Sequence, residues 1–122
     1  MKWSEEIIQL VWEKATKVDG FDDSKYRKDA SGAWIVRDKY RVEHNFGWEI
    51  DHIFPVSRGG DDNQKNLRAM HYLNNRSKAD DYPRYKVAVT SKGTRNEETS
   101  KFILINENTQ KIIHSIYKEK MK

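Results

Sequence analysis

Residues 48–60 read Trp-Glu-Ile-Asp-His-Ile-Phe-Pro-Val-Ser-Arg-Gly-Gly, and residues 61–80 continue Asp-Asp-Asn-Gln-Lys-Asn-Leu-Arg-Ala-Met-His-Tyr-Leu-Asn-Asn-Arg-Ser-Lys-Ala-Asp. The alternating apolar positions before Phe-Pro are typical of a strand, and the Gly-Gly pair with its polar neighbours predicts a surface loop. A short second strand is predicted over residues 66–70. A helix is predicted over residues 71–80, because Pro83 prevents it from continuing. The stretch therefore predicts a strand, a long loop, a second strand and a helix.

Three side chains in this stretch have the chemistry of a phosphodiester-cleaving site. Asp51 offers a carboxylate oxygen and Asn75 an amide oxygen, which suits Mg²⁺ or Mn²⁺ held together with waters and phosphate oxygens. His52 follows Asp51 directly, and a neutral imidazole can take a proton from a water aligned on phosphorus. Two protein ligands support one metal ion, so the pattern predicts a one-metal site.

The residue pattern of this stretch resembles that of the HNH endonuclease family over about residues 48–83. The matching segments are Trp-Glu-Ile-Asp-His-Ile-Phe-Pro-Val-Ser, Gly-Gly-Asp, Asn-Leu and Asn-Asn-Arg-Ser-Lys-Ala-Asp. The resemblance implies a beta-beta-alpha metal fold that hydrolyses DNA and leaves 5′-phosphate and 3′-hydroxyl ends. It assigns the catalytic roles to His52, as general base, and to Asn66, which holds the loop and orients the base. Asp51 and Asn75 become the metal ligands.

Several neighbours on the predicted helix compete for these roles. Adjacent helical residues point about 100° apart, so only one of Asn74 and Asn75 can face the first strand, and the position of Lys78 favours Asn75. The resemblance makes Lys78 a candidate either for a phosphate contact or for anchoring the helix, and Arg76 is similar. His71 lies at the junction of strand and helix, where we predict a capping or substrate-facing residue and not a metal ligand.

Composition limits the remaining possibilities. The 122 residues correspond to one domain, residues 1–122, with the motif core at 48–83, and the net charge is +4. The chain has no cysteine, which excludes disulfides and the cysteine zinc knuckle that braces many members of the family. The N-terminal helix and Trp34 are the proposed substitutes. The sequence shows no signal peptide and no stretch long enough to span a membrane, so we expect no membrane partner and a cytoplasmic location.

The expected partner is DNA, either double-stranded or branched, and the oligomeric state is left open. Residues 82–122 hold nine lysines and arginines against four acidic residues, which suits a polyanion, although a solvated basic tail is an alternative explanation. The predicted DNA contacts are Arg58, Arg76, Lys78, Arg84 and Lys86. The expected cofactor is one divalent metal, Mg²⁺ first, with Mn²⁺, Ni²⁺ and Zn²⁺ as alternatives.

Two rival interpretations remain at this stage. One is a nucleic-acid-binding module that keeps the HNH fold without cutting. The other is a structural domain with Zn²⁺ held by Asp51, His71 and a neighbouring histidine.

The flanking segments complete the predicted fold, which is α+β: a beta-beta-alpha metal (HNH) core with an N-terminal helix and C-terminal antiparallel strands. The N-terminal helix is predicted over residues 4–18. Residues 40–42 are predicted to pair back onto the strand at 32–36. For residues 111–117 both a helix and a hairpin partner for the strand at 102–105 fit, and the preceding turn-like residues slightly favour the hairpin. A further strand is predicted over residues 85–90.

Overall fold

Six strands pair as three antiparallel two-stranded ribbons in the computed structural model, which describes residues 3–121. The strands are β1 (Tyr26–Lys28), β2 (Trp34–Val36), β3 (Trp48–His52), β4 (Leu67–His71), β5 (Arg84–Lys92) and β6 (Arg95–Leu104). The α-helices are α1 (Glu5–Trp12), α2 (Tyr72–Lys78) and α3 (Glu107–Tyr117). No helix in the described part of the chain has the length and apolarity needed to cross a membrane. The class is α+β, as predicted.

The β3–β4 ribbon lies at the centre of the chain and continues directly into α2. Its register pairs Trp48 with His71 and Asp51 with Arg68. Because successive strand residues point to opposite faces, Trp48 and Ile50 share one face and Asp51 points to the other. The apolar face packs against α1 in a first core, whose buried members are Ile8, Val11, Trp12, Ile35, Trp48, Ile50, Leu67 and Ala69.

A second core ties the loop after β3 to the C-terminal elements. Its buried members are Ile53, Phe54, Met70, Tyr85, Val87, Ile105, Ile113 and Tyr117. Phe54 stacks on Tyr117 of α3 with ring centroids 5.4 Å apart. The central ribbon is therefore packed between an N-terminal and a C-terminal cluster.

The N-terminal helix is shorter than predicted. Ser4 caps α1 as expected, since its side chain accepts a hydrogen bond from Ile7 N, but the helix ends at Trp12 and does not reach residue 18. Arg27 donates to the carbonyl oxygens of Glu13 and Ala15 at 3.0 and 3.1 Å. These tertiary hydrogen bonds take carbonyls that a longer helix would use internally, which explains the early end.

The C-terminal prediction was wrong for residues 111–117, which form part of α3. Asn106 caps this helix by accepting from Thr109 N at 2.8 Å, so the residues that resembled a turn begin a helix. The strand over residues 102–105 is the end of β6, and its partner is β5. Gly93, with φ of +62°, makes the tight turn between the two strands.

The pairing predicted for residues 40–42 was also wrong. Tyr40 forms a parallel bridge with Trp48, at the start of β3, and Arg41 N donates to Trp48 O at 2.8 Å. The partner of β2 is β1. The Tyr40 ring packs 4.9 Å from the Trp48 ring, so burial of this aromatic pair competes with the predicted hairpin.

Candidate functional site

One open pocket of about 300 Å³ brings together the three residues with the predicted chemistry, Asp51, His52 and Asn75. The first two come from the end of β3 and the third from the middle of α2. His71 starts α2 by accepting a hydrogen bond from Leu73 N at 3.1 Å, so its predicted capping role agrees with the geometry. Burial lowers the pKa of His71, which keeps it neutral and able to accept.

The Asp51 carboxylate is buried and held by two cations. Arg68 Nε donates to Oδ2 at 3.0 Å, and Lys78 Nζ lies 3.5 Å from Oδ1. Lys78 is fully buried and also donates to the carbonyl oxygen of His52 at 3.1 Å. Burial lowers the pKa of Lys78, and the Asp51 carboxylate acts in the opposite direction. The cluster fixes the end of β3 to α2.

The burial of Lys78 corrects one predicted DNA contact. Its side chain has no exposed area, so a phosphate cannot reach its ammonium group in this conformation. Of the two roles that the sequence left open, anchoring of the helix is the one that the geometry supports.

Asn74 and Asn75 have different environments. Asn75 Nδ2 donates to Glu49 Oε1 at 2.9 Å, and no hydrogen bond from another described residue reaches its Oδ1. Asn74 is fully buried; its amide contacts Asp29 and the backbone of Ala88 and Val89. Asn75 therefore lies at the pocket, whereas Asn74 joins α2 to β5.

Asn66 braces the loop that follows β3. Its side chain accepts from Phe54 N at 2.7 Å and donates to Phe54 O at 3.1 Å and to Asp61 O at 3.0 Å. The residue is fully buried. These contacts agree with the predicted role of holding the loop, but the Asn66 side chain makes no direct hydrogen bond to the His52 ring.

The direct partner of the His52 ring is Asp62. Asp62 Oδ1 lies 2.8 Å from His52 Nε2, and the Trp3 ring packs against the imidazole with centroids 5.9 Å apart. The His52 side chain is 24% exposed and lines the pocket. The site thus combines the oxygen atoms of Asp51 and Asn75, the imidazole of His52, and the loop that carries Asp62.

Residues 35–84 match the family model of the HNH endonuclease. The predicted resemblance to this family is therefore confirmed over this part of the chain, which we call the HNH segment, and the match suggests a function of the nuclease type. The match extends beyond the predicted 48–83 at both ends. No curated protein and no solved structure matches the chain.

The remaining predicted DNA contacts differ in their availability. Arg58, in the HNH segment, donates to Tyr82 O at 3.1 Å and has an exposed side chain. Arg76 pairs with Glu43 at 3.0 Å and is half exposed. Arg84 and Lys86 are exposed on β5, where Arg84 stacks on the Phe102 ring at 3.9 Å.

Sequence reasoning missed three partners of the site: Asp62, Arg68 and Glu49. The ladder register would have found Arg68, because it is opposite Asp51, but that register depends on the length of the intervening loop. Glu49 follows from strand alternation, since it shares a face with Asp51. For Asp62 the sequence indicates only an acidic residue in a loop, which does not predict its contact with His52.

The oxygen donors at the pocket are too few to surround a metal ion with protein ligands alone. Within residues 3–121 no three histidine, aspartate, glutamate or cysteine side chains converge on a possible metal position. Asp51, His71 and another histidine, considered above for a structural Zn²⁺ site, form no such group in this part of the chain. The carboxylate of Asp51 and the amide oxygen of Asn75 at the same pocket are donors of the kind that suit a divalent cation such as Mg²⁺, which keeps several waters and completes its shell with phosphate oxygens.

Proposed function

We propose that this protein is a metal-dependent DNA endonuclease that hydrolyses phosphodiester bonds with one catalytic centre. The observation that carries the proposal is the shared pocket of Asp51, His52 and Asn75 inside the HNH segment. Each of the three has the residue type that its proposed role requires. Asn75 comes from a different element than the adjacent residues Asp51 and His52, so the fold and not the sequence alone brings the three together.

In the proposed reaction His52 takes a proton from a water that attacks phosphorus in line with the leaving oxygen. Asn66 supports this step from a distance, because its hydrogen bonds hold the loop that follows the base. A bound Mg²⁺, with Mn²⁺, Ni²⁺ or Zn²⁺ as alternatives, would stabilise negative charge on the phosphate and on the leaving oxygen. The resemblance to the family leads us to propose 5′-phosphate and 3′-hydroxyl products.

Asp51 and Asn75 are the proposed ligands of that ion. Asn75 is supported as a ligand because its Oδ1 lies at the pocket and accepts no hydrogen bond from the described residues. For Asp51, the contact of Oδ1 with Lys78 is longer than that of Oδ2 with Arg68, 3.5 against 3.0 Å. Oδ1 is therefore the oxygen that can bind a metal ion while the shorter, stronger contact of Asp51 with Arg68 is kept.

Exposed basic residues near the HNH segment are the proposed contacts to the DNA backbone. Arg58 follows the pocket residue Ser57, and Arg84 and Lys86 lie on the strand that packs against α2. Such contacts position a duplex without reading its sequence. The substrate that we propose is accordingly double-stranded or branched DNA.

A second function is a nucleic-acid-binding module that does not cut. The specific observation in its favour is that both oxygens of Asp51 already contact cations, as expected for a structural carboxylate. Cleavage separates the two functions, because both include binding of DNA.

The deciding experiment is a plasmid-nicking assay with Mg²⁺, with and without EDTA. The wild-type protein should nick, EDTA should abolish nicking, and His52→Ala should lower the turnover by about 10² or more. His114→Ala is the matched control, since His114 is exposed on α3 outside the pocket. Binding of DNA without any metal-dependent nicking would favour the module that does not cut.

A separate measurement tests the metal ligands. Titration calorimetry should give weaker Mg²⁺ binding for Asn75→Ala and for Asp51→Asn than for the wild type, with folding checked by circular dichroism. Unchanged affinity in both folded variants would exclude the ligand pair, whatever the nicking assay shows.

A further inference from the structure

The loop of the HNH segment that carries Asp61 and Asp62, the acidic loop, contacts the proposed base His52 directly. Asp62 Oδ1 lies 2.8 Å from Nε2 of His52. We propose that Asp62 is a positioning residue for His52: it fixes the ring and selects the tautomer in which the other nitrogen, Nδ1, accepts the proton. This inference rests on the proposed function, because it concerns the base of that reaction.

The chemistry of the contact determines the tautomer. A carboxylate has lone pairs and no proton to donate, so the neutral imidazole meets it with N–H at Nε2. The proton on Nε2 leaves a lone pair on Nδ1. Nδ1 is then the atom of His52 that can accept a proton from the attacking water. Without the carboxylate, both tautomers and other ring rotations become accessible.

The loop around Asp62 is braced at the preceding residue, Asp61. Asn66 Nδ2 donates to Asp61 O at 3.0 Å, and the Tyr117 hydroxyl of α3 donates to the Asp61 carboxylate. The hydroxyl oxygen of Tyr117 also accepts from Asp61 N at 3.3 Å. Asn66 and Tyr117 thus hold Asp61 from two sides, which restricts the positions that the side chain of Asp62 can reach.

A close backbone approach adds a third brace. Gly60 N donates to Pro55 O at 2.9 Å. A Cβ at Gly60 would lie 1.9 Å from the Phe54 carbonyl oxygen, so this position requires glycine. The loop consequently returns to the end of β3, where Asp62 meets His52.

Stability alone gives a weak reason for the pair. The Asp62 side chain is 56% exposed, and an ion pair or hydrogen bond at such a position adds little to folding stability. A structural role therefore predicts a near-normal protein after removal of Asp62. A positioning role predicts a folded protein with a slower chemical step, and the two can be separated.

The first arm of the test is spectroscopic and uses the metal-free protein. Two-bond ¹H–¹⁵N correlation spectra should show His52 with its proton on Nε2, with the signals assigned through their loss in His52→Gln. Asp62→Ala should give a mixture of tautomers. Asp80→Asn is the charge control, because Asp80 lines the same pocket without a hydrogen bond to His52, and it should leave the His52 spectrum unchanged.

The second arm is kinetic. Asp62→Ala should lower kcat for nicking by about 10- to 100-fold, the scale seen when a histidine in a metal site loses the partner that orients it, with KM within about twofold of wild type and an unchanged melting temperature. Asp62→Asn should recover part of the loss, because an amide oxygen still accepts from Nε2. Either an unaltered tautomer or an unaltered kcat in Asp62→Ala would overturn the inference.

The two proposals fail in different ways. If the wild-type protein does not nick DNA, the proposed function fails, whereas the spectroscopic arm still reports whether Asp62 sets the tautomer. If the wild type nicks DNA and Asp62→Ala nicks equally fast, the function stands and the positioning role is excluded.

Discussion

Arg68 and Asp51 are direct partners across the β3–β4 ladder, with Nε donating to Oδ2 at 3.0 Å. Together with Lys78 they form a buried cluster of two cations and one anion, so the carboxylate is the minority charge. Removal of the acid leaves two like charges close together, whereas removal of one cation leaves a neutral pair. The cluster therefore makes an asymmetric prediction about stability.

Asp51→Asn should lower the free energy of unfolding by about 3–5 kcal/mol, the usual cost of leaving buried charge uncompensated. Lys78→Met should cost less, about 1–3 kcal/mol, mainly because the His52 carbonyl is left without its donor. Urea denaturation followed by circular dichroism measures both. Equal losses in the two variants would contradict the minority-charge argument.

Lys78→Met should lower the folding stability but raise the affinity for Mg²⁺. Lys78→Met takes away a positive charge 3.5 Å from Oδ1 of the proposed ligand. Mg²⁺ should bind at least roughly tenfold more tightly, because the repulsion between two nearby cations is removed. Titration calorimetry on the folded variant measures the affinity, with Lys111→Met on α3 as the control. Weaker binding in Lys78→Met would place the metal elsewhere.

The neighbours Asn74 and Asn75 provide a matched pair of variants. Asn74→Ala leaves the backbone groups of Ala88 and Val89 without their partners, so it should cost about 2–3 kcal/mol of folding stability. Asn75→Ala removes a partly exposed hydrogen bond to Glu49 and should cost less than about 1 kcal/mol. Chemical denaturation compares them directly. The reverse order would mean that the roles of the two amides are exchanged.

The hydrogen bond between Tyr117 and Asp61 should appear in the alkaline titration of the protein. Burial and this hydrogen bond raise the pKa of Tyr117 to about 12 from 10.0. A raised pKa favours the protonated phenol in the folded state, so this stabilisation is complete below pH 10 and disappears as the pH approaches 12. The tyrosinate absorbance of Tyr117→Phe, subtracted from that of wild type, should reveal the late step. A difference curve with its midpoint at the ordinary tyrosine value would exclude the hydrogen bond.

Binding of DNA should depend on salt through the exposed arginine and lysine of β5. Replacing Arg84 and Lys86 together with alanine should reduce the slope of log K against log salt concentration by about one for each phosphate that these side chains neutralise. Lys17→Ala is a suitable control, because Lys17 is exposed in the N-terminal part of the chain, outside the HNH segment. An unchanged slope in the double variant would remove β5 from the interface.

The central part of the fold could be predicted because its signals are local. Alternation marks β3 and β5, and Pro83 limits α2 from outside. The side-chain cap at His71 is equally local. The preference for Asn75 needed only the geometry of a helix and the position of Lys78.

The failures have long-range causes. Arg27 ends α1 by binding Glu13 and Ala15 from β1, which no local pattern signals. Asn106 fits both a turn and a helix cap, and the choice depends on burial of Ile113 and Tyr117 in the second core. The pairs Asp62–His52 and Arg68–Asp51 join residues 10 and 17 positions apart, so they required the loop path and the register.

The hydrogen bond from α3 to the acidic loop has a consequence for where this nuclease-like unit can be divided. Tyr117 lies more than thirty residues beyond the HNH segment, yet its hydroxyl binds the loop that carries Asp62, the partner of His52. Trp12, ahead of the segment, packs on Trp48 with ring centroids 5.3 Å apart. A cassette cut at residues 35 and 84 would lack both supports. The transferable unit for protein engineering is therefore the segment with its two flanking helices, and chimeras should be joined outside them.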